Sequence, residues 1–135
     1  MEVNISLKDK IDEAETLAIY MANDWSSAKK PVELMRALRN SHALVTARLN
    51  GSLVGLGNAI SDGHLVVYYP HLLVLPQHHG KGIGHQMLKA LQAKYENYHQ
   101  QMLVADGRAI EFYKSLGFVR AGATEPMWVY SGHDH

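Results

Sequence analysis

The chain has 135 residues, of which 47% are apolar and 19% charged, a balance typical of one globular domain with a sizeable core. Thirteen basic and thirteen acidic residues cancel, which argues against nucleic acid or an anionic membrane as a partner. No apolar run approaches the roughly 20 residues of a membrane-spanning helix. The N-terminus lacks a signal-peptide pattern and the chain lacks cysteine, so we predict a cytoplasmic protein forming a single domain over 1–135, with its core at about 3–130.

Hydrophobic periodicity and turn residues divide the chain into short elements. The predicted elements are a strand over 3–7, helices over 10–22 and 32–39, strands over 42–49, 53–60 and 64–75, a helix over 82–97, a strand over 101–105, a helix over 108–116 and a strand over 127–130. Asn50-Gly51 marks a tight hairpin turn, and Pro70 predicts a bend or bulge within the long strand. The order βααβββαβαβ indicates an α/β fold with a single mixed, mostly antiparallel sheet flanked by helices.

Two of these helices carry a clear inward face. The first is started by Asp9 or Asp12, and the apolar spacing predicts that Ile11, Ala14, Leu17, Ala18 and Met21 face the core. In the helix over 82–97, Met87, Leu88, Leu91 and Tyr95 are expected inward.

The most informative segment is 71–88, an apolar strand followed by a glycine-rich turn and the start of a helix. Such a turn presents unpaired helix N–H groups to a phosphate or pyrophosphate. The Walker pattern fails because Gly82, and not Ser or Thr, follows Gly80-Lys81. The dinucleotide pattern fails because His85 occupies the position of its third glycine. The pattern Gln/Arg-x-x-Gly-x-Gly/Ala is met by Gln77, Gly80 and Gly82.

That pattern resembles the pyrophosphate loop of the GNAT N-acetyltransferase superfamily. A second block over 109–118, Ala-Ile-Glu-Phe-Tyr-Lys-Ser-Leu-Gly-Phe, is similar to the family's late helix and turn. The resemblance covers roughly 3–130. It implies acetyl-CoA as the acetyl donor, an amine as the acceptor, and the mixed sheet predicted above.

The resemblance also assigns residues to the donor. The backbone of Leu73 and Leu75, with Val74 between them, is expected to pair with the pantetheine arm as an added strand would. The residues expected around the pyrophosphate are Gln77, His79, Gly80, Lys81, Gly82, Ile83 and Gly84. Lys81 either supplies charge to the phosphates or is solvated. Asp106 stands where relatives often carry an Asn that contacts the cofactor; as an acceptor alone, it either makes a different contact or caps the helix over 108–116.

Two residues are candidates for proton transfer. Tyr113 matches the family's tyrosine that protonates the departing CoA thiolate; otherwise it is a packing residue beside Phe112. His71 replaces an acidic residue common in the family, and an imidazole is a suitable proton acceptor for the amine; otherwise it is a structural histidine at a strand bend. The candidates for the acceptor side are Trp25, His64, Tyr68 and Tyr69, and Trp25 and Tyr69 are assigned to the acceptor site. Alternation around Pro70 leaves open which face His64, Tyr68 and Tyr69 share.

The sequence favours a small-molecule amine acetylated by direct transfer in a ternary complex. The alternatives are a non-catalytic acetyl-CoA-binding regulatory module and acetylation of a protein lysine or N-terminus. Small plant and cyanobacterial arylalkylamine acetyltransferases look similar in the hairpin and the turn over 61–63, which makes an aromatic amine a candidate acceptor. No metal is expected, because the loop histidines are explained by the cofactor motif. A homodimer paired through the strand over 127–130 is an open expectation.

Overall fold

The computed structural model describes residues 2–134 of the chain. Its strands are β1 (Asn4–Ser6), β2 (Ala43–Leu49), β3 (Ser52–Ser61), β4 (Val66–Tyr68), β5 (Leu72–Val74) and β6 (Gln100–Met102). Its helices are α1 (Glu13–Ala22), α2 (Pro31–Arg39), α3 (Ile83–Lys94) and α4 (Ile110–Ser115). Two 3-10 turns occupy Ser26–Lys29 and Pro76–His78.

The strands form one sheet in the order β1-β2-β3-β4-β6, and β5 pairs with β3 as well. The pairing is antiparallel throughout except between β4 and β6, which run parallel. The prediction of a mixed, mostly antiparallel sheet flanked by helices is therefore confirmed. The hairpin between β2 and β3 is also confirmed, since Asn50 and Gly51 both have positive φ, at 51° and 83°, as a type I′ turn requires.

Helices cover both faces of the sheet. On one face α3 and its C-cap residue Tyr95 bury all four predicted inward residues in one cluster with residues of β2, β3 and β4. On the other face α1 and α2 form a second cluster with Leu53, Leu56 and Leu73. The structure settles the start of α1 on Asp12, whose side chain accepts from the Glu15 N–H at 2.8 Å. Burial on both faces fixes the register of the central strands.

The inward face predicted for α1 is correct only for Ile11, which is buried, and Leu17, which packs half-buried against the second cluster; Ala14, Ala18 and Met21 are exposed. Thr16, Ile19 and Tyr20 are fully buried, whereas Met21 is 60% exposed. The helix is rotated because Tyr20 carries a large apolar ring and its hydroxyl finds a half-buried partner, described below.

Three strand predictions also need correction. The strand over 64–75 is interrupted at Pro70, as expected, but the interruption divides it into β4, which pairs with β3 and β6, and β5, which pairs with β3 alone. The strand predicted as buried over 101–105 is a three-residue edge strand, Gln100–Met102, that is half exposed. Residues 127–130 form no strand, so the predicted final element and the order that ended on it are wrong.

Candidate functional site

The sheet opens just beyond the parallel pair β4 and β6. The Tyr69 N–H donates to the Met102 carbonyl at 3.0 Å, and this bond at the ends of β4 and β6 is the last one that joins them before Pro70. Beyond it, β5 pairs with β3, while residues 103–105 form no strand. One edge of β5 is therefore left without a neighbouring strand among the described residues.

The hydrogen-bond register shows which backbone groups face this open edge. The Asn58 N–H donates to the His71 carbonyl, the Leu75 N–H donates to the Val54 carbonyl, and Leu73 lies opposite Leu56. In an antiparallel pair, alternate residues turn their backbone groups toward the partner strand and away from it. Leu72 and Val74 therefore turn theirs toward the open edge.

This register corrects the expectation for the pantetheine arm. The backbone groups of Leu73 and Leu75 are directed at β3 and are not open to a ligand, because alternation of side chains does not reveal the pairing register. The Val74 carbonyl already accepts from Asn23 Nδ2 at 3.0 Å and from His79 Nε2 at 2.8 Å. The groups open to a ligand at this edge are those of Leu72 and the Val74 N–H.

The glycine turn lies at the far end of β5 and leads directly into α3. Gly80 and Gly82 have φ of +78° and +80°, and an added Cβ at either position would meet no atom within 4 Å. Gly82 is the N-cap residue of α3 and supplies no side-chain cap, so the first N–H groups of the helix have no intrahelical partner. The turn is thus an open backbone cradle at the positive end of a helix, which fits a pyrophosphate.

Some side chains of the turn bond to the protein, and others are exposed to solvent. Gln77 is exposed. The ring of His79 fastens the turn to β5 through the Val74 carbonyl. Lys81 Nζ lies 3.0 Å from His78 Nδ1 on the exposed side of the turn, which leaves its charge accessible to a phosphate.

α4 packs over the N-terminus of α3. A Cβ added to Gly84 would lie 3.4 Å from Phe112 Cζ and 3.9 Å from Val74 Cγ2. The Phe112 ring of α4 therefore lies against the first turn of α3, close to β5. The adjacent Tyr113 is half-buried, with its ring edge-on to both Phe112 and Phe118. Burial raises the pKa of Tyr113 above its usual value of 10.0, so the hydroxyl retains its proton at neutral pH.

Asp106 does not cap α4. The N-cap residue is Ala109, which has no side-chain cap, and Asp106 is exposed in the turn before it. The Asp106 carbonyl accepts from the Ala109 N–H at 2.7 Å, and its carboxylate lies 3.4 Å from the Arg108 N–H. Asp106 shapes the turn that presents α4.

His71 lies at the opposite end of β5 from the glycine turn, in an aromatic setting. The Tyr20 hydroxyl is 2.7 Å from His71 Nδ1, and the His71 ring lies edge-on to Trp25 at 4.9 Å between centroids. Tyr20 is fully buried, and burial raises its pKa far above the usual value. Trp25 stands just before the 3-10 turn between α1 and α2, so the structure brings Trp25 and His71 together.

Tyr69 does not join this group. It is buried on the α3 face of the sheet, where its hydroxyl donates to Gln101 Oε1 at 2.7 Å and its ring packs edge-on to Tyr95 and Phe118. Its expected place in the acceptor site is wrong, because Pro70 resets the alternation of side chains between β4 and β5.

The sequence reasoning missed several residues around His71. Tyr20 belonged to a helix whose face was misassigned. Tyr130 and Asp134 come from the C-terminal segment (residues 120–134), and both reach Ser26. These contacts join residues more than 100 positions apart, and no short motif announces them.

Two further observations bear on ligands and membranes. Within residues 2–134, no three His, Asp or Glu side chains are grouped so that they could hold a metal ion. In the same part of the chain, no helix combines the length and apolar character needed to cross a bilayer.

Comparison with known proteins agrees with this geometry. An acetyltransferase (GNAT) domain family model matches residues 8–126. A GNAT-family acetyltransferase structure from Streptococcus pneumoniae aligns with a TM-score of 0.83 at 24% identity, covering 97% of this chain and 100% of that one. A ribosomal-protein-alanine N-acetyltransferase from Brucella melitensis aligns with a TM-score of 0.73 at 19% identity, covering 95% and 100%. At these identities the structures show the shared fold.

One curated relative shares sequence as well. An uncharacterised N-acetyltransferase, ycf52, of Gracilaria tenuistipitata var. liui is 30% identical over 69 residues, which are 50% of this chain and 38% of that protein. The match thus spans well under half of the curated relative. The family model, in contrast, takes in both the glycine turn and Tyr113, and it shows that the chain belongs to the GNAT acetyltransferase family.

Proposed function

We propose that the protein transfers an acetyl group from acetyl-CoA to the primary amine of a small molecule, by direct transfer in a ternary complex. The observation that carries the proposal is the open edge of β5, which connects the glycine turn at one end with His71 at the other. A donor held at the turn and extended along this edge directs its thioester toward His71.

The donor's binding groups follow from the backbone. The N–H groups of the turn and of the first turn of α3 bind the pyrophosphate, with Lys81 adding charge. The backbone groups of Leu72 and the Val74 N–H bind the pantetheine arm in the manner of an added strand. Gln77 and Asp106 are both exposed and are the least constrained of the proposed contacts.

The chemistry balances with one proton donor. The neutral amine nitrogen attacks the thioester carbonyl, the C–N bond forms and the C–S bond breaks. The nitrogen gives up one proton to a base or to water, and Tyr113 gives its proton to the departing sulfur. Tyr113 then regains a proton from solvent, so the products are an N-acetylated amine and CoA thiol. Holding both reactants in place supplies much of the acceleration.

The hydrogen bond to Tyr20 decides how His71 can act. If the Tyr20 hydroxyl donates to Nδ1, the neutral imidazole carries its proton on Nε2 and acts as a hydrogen-bond donor. If Nδ1–H donates to the Tyr20 oxygen, Nε2 holds a lone pair and can accept the amine proton. The base role proposed for His71 therefore requires the second arrangement.

The acceptor is proposed to be small because the formal charge is +0 and no acidic run is present to bind a basic peptide. A cytoplasmic location is proposed with it, supported by the absence of cysteine. Residues 127–130 form no strand, so the contact through which a homodimer was expected is not present and no dimer is proposed through it.

The proposal is tested by measuring free thiol released from acetyl-CoA with a panel of amines, using the wild-type protein and Tyr113→Phe. We expect amine-dependent release that falls about a hundredfold in kcat in the variant, since general acid catalysis typically contributes 10²–10⁴-fold. Tight binding of acetyl-CoA with no release for any amine would instead indicate a binding module. Full activity in Tyr113→Phe would remove its assigned role.

A further inference from the structure

A concave surface beside His71 is walled mainly by aromatic rings. It encloses 280 Å³ and is lined by Tyr68, Pro70, His71, Trp128, Tyr130 and Asp134. Small-molecule pockets usually enclose about 300–1,000 Å³, so this one lies just below that range. Its volume is sufficient for one ring with a short arm.

The outer wall of this aromatic pocket is fastened to the body of the protein. Asp134 Oδ2 accepts from the Ser26 N–H at 2.7 Å. Asp134 Oδ1 accepts from the Ser26 hydroxyl and from the Tyr130 hydroxyl, both at 2.8 Å. Because Ser26 starts the 3-10 turn that follows Trp25, these bonds hold the C-terminal segment over the side of the sheet that carries His71.

The pocket combines one negative charge with apolar walls. The bonds from Ser26, backbone first and then hydroxyl, and from Tyr130 lower the pKa of Asp134 to about 2 against the opposing effect of burial, so its carboxyl is ionised at neutral pH. An alkyl amine is an ammonium ion at pH 7. A carboxylate together with aromatic faces attracts such a cation, and the rings also complement an apolar body.

The pocket also meets the open edge of β5. His71 lines the pocket, and the next residue, Leu72, is the first to turn its backbone groups toward that edge. A molecule seated among the aromatic rings is therefore next to the end of the path proposed for the donor.

Resting on the proposed function, we infer that this aromatic pocket is the acceptor site and that it selects a small primary amine carried on an aromatic body. Asp134 attracts the ammonium form, and Trp128, Tyr130 and Tyr68 contact the ring. The amine loses a proton to solvent or to a neighbouring base before it attacks the thioester.

Binding is measured without turnover by tryptophan fluorescence, since the chain has two tryptophans, one against the His71 ring and one in the pocket wall. The CoA-bound protein is titrated with 2-phenylethylamine, n-butylamine and 2-phenylethanol. We expect 2-phenylethylamine to bind at least tenfold more tightly than either of the others. Asp134→Asn loosens the pocket wall for every ligand, because one amide end cannot accept from Ser26, but it removes the charge only for the cations; it is therefore expected to weaken the two amines at least tenfold more than it weakens 2-phenylethanol.

Met127→Ala is the matched control, because Met127 belongs to the same segment but is 93% exposed and outside the pocket. It should bind all three compounds as the wild type does. Equal affinity for the three compounds, or an Asp134→Asn variant with unchanged affinity for amines, would overturn the inference.

Turnover separates this inference from the proposed function. If amines are acetylated with no preference for the aromatic one, the aromatic pocket is not the acceptor site, while the transferase activity stands. If 2-phenylethylamine binds selectively and no amine is acetylated, the aromatic pocket stands and the proposed function fails.

Discussion

Replacing Gly82 by alanine tests the cradle that binds the pyrophosphate. Gly82 has a φ of +80°, and a Cβ added there would meet no atom within 4 Å, so alanine introduces no clash and only the unfavourable backbone conformation. A left-handed conformation costs an L-residue roughly 1–2 kcal/mol, and the turn can relieve this strain by rotating its N–H groups. Losing one charge-assisted hydrogen bond, about 1.5–3 kcal/mol, weakens acetyl-CoA binding by roughly 10- to 100-fold.

Gly51→Ala provides a matched control at the hairpin turn. Gly51 has a φ of +83° and the same open surroundings, so it carries a similar backbone cost. Urea unfolding should show a similar loss of about 1–2 kcal/mol in both variants. Calorimetric titration with acetyl-CoA should show weaker binding in Gly82→Ala alone. Equal acetyl-CoA affinity in the two variants, with equal loss of stability, would refute the assignment of the turn.

Three further predictions concern proton transfer and stability. In the wild type, the loss of activity from ionisation of Tyr113 should have its midpoint above pH 10.0, because burial raises the pKa of the hydroxyl above that value; a pH–rate profile of kcat checks this. Tyr20→Phe removes the hydroxyl bonded to His71 Nδ1 and should lower the unfolding free energy by about 1 kcal/mol. It should also change which ring nitrogen of His71 carries the proton, as read by long-range ¹H–¹⁵N NMR; an unchanged tautomer would show that Tyr20 does not determine it. Asp9→Asn should lose about 1 kcal/mol at pH 7, since its carboxylate accepts from Arg48 Nε at 2.6 Å. Burial opposes ionisation of Asp9, but the hydrogen bonds from Arg48 and Thr46 outweigh it and lower the pKa of the carboxyl below 3.8. The stability that the ionised carboxylate contributes is therefore present above that pH and is lost as the pH falls below it. The unfolding free energy of the variant, measured with denaturant, should depend less on pH under about pH 4 than that of the wild type.

Local signals in the sequence predicted the elements that local chemistry determines. Asn50-Gly51 marked the hairpin because few other residue pairs adopt positive φ at both positions. The glycine turn marked the start of α3 for the same reason, and the buried face of α3 followed from its regular spacing.

The surroundings of His71 could be predicted only in part, because they are assembled from distant parts of the chain. Tyr20 and His71 are 51 residues apart, and Ser26 and Asp134 are 108 apart. The pattern Met-Trp-Val-Tyr over 127–130 has the composition of a strand, but strand propensity measures how well side chains fit a sheet surface. No strand of the described chain pairs with this segment, and its side chains wall the pocket or face solvent.

Which backbone groups of β5 face the open edge could not be predicted from the sequence, for a different reason. Side-chain alternation indicates which residues share a face, whereas the groups open to a ligand depend on the pairing register with β3. The register places Leu72 and Val74 at the open edge in place of Leu73 and Leu75.

The central claim is tested most directly by following both products of one reaction. The protein is incubated with acetyl-CoA and a primary amine, and CoA thiol and the N-acetylated amine are quantified together by mass spectrometry. The account predicts that the two products appear in equal amounts, that both depend on the amine, and that both fall about a hundredfold in rate in Tyr113→Phe. Thiol released without acetylated amine, or no product with any amine despite bound acetyl-CoA, would contradict it.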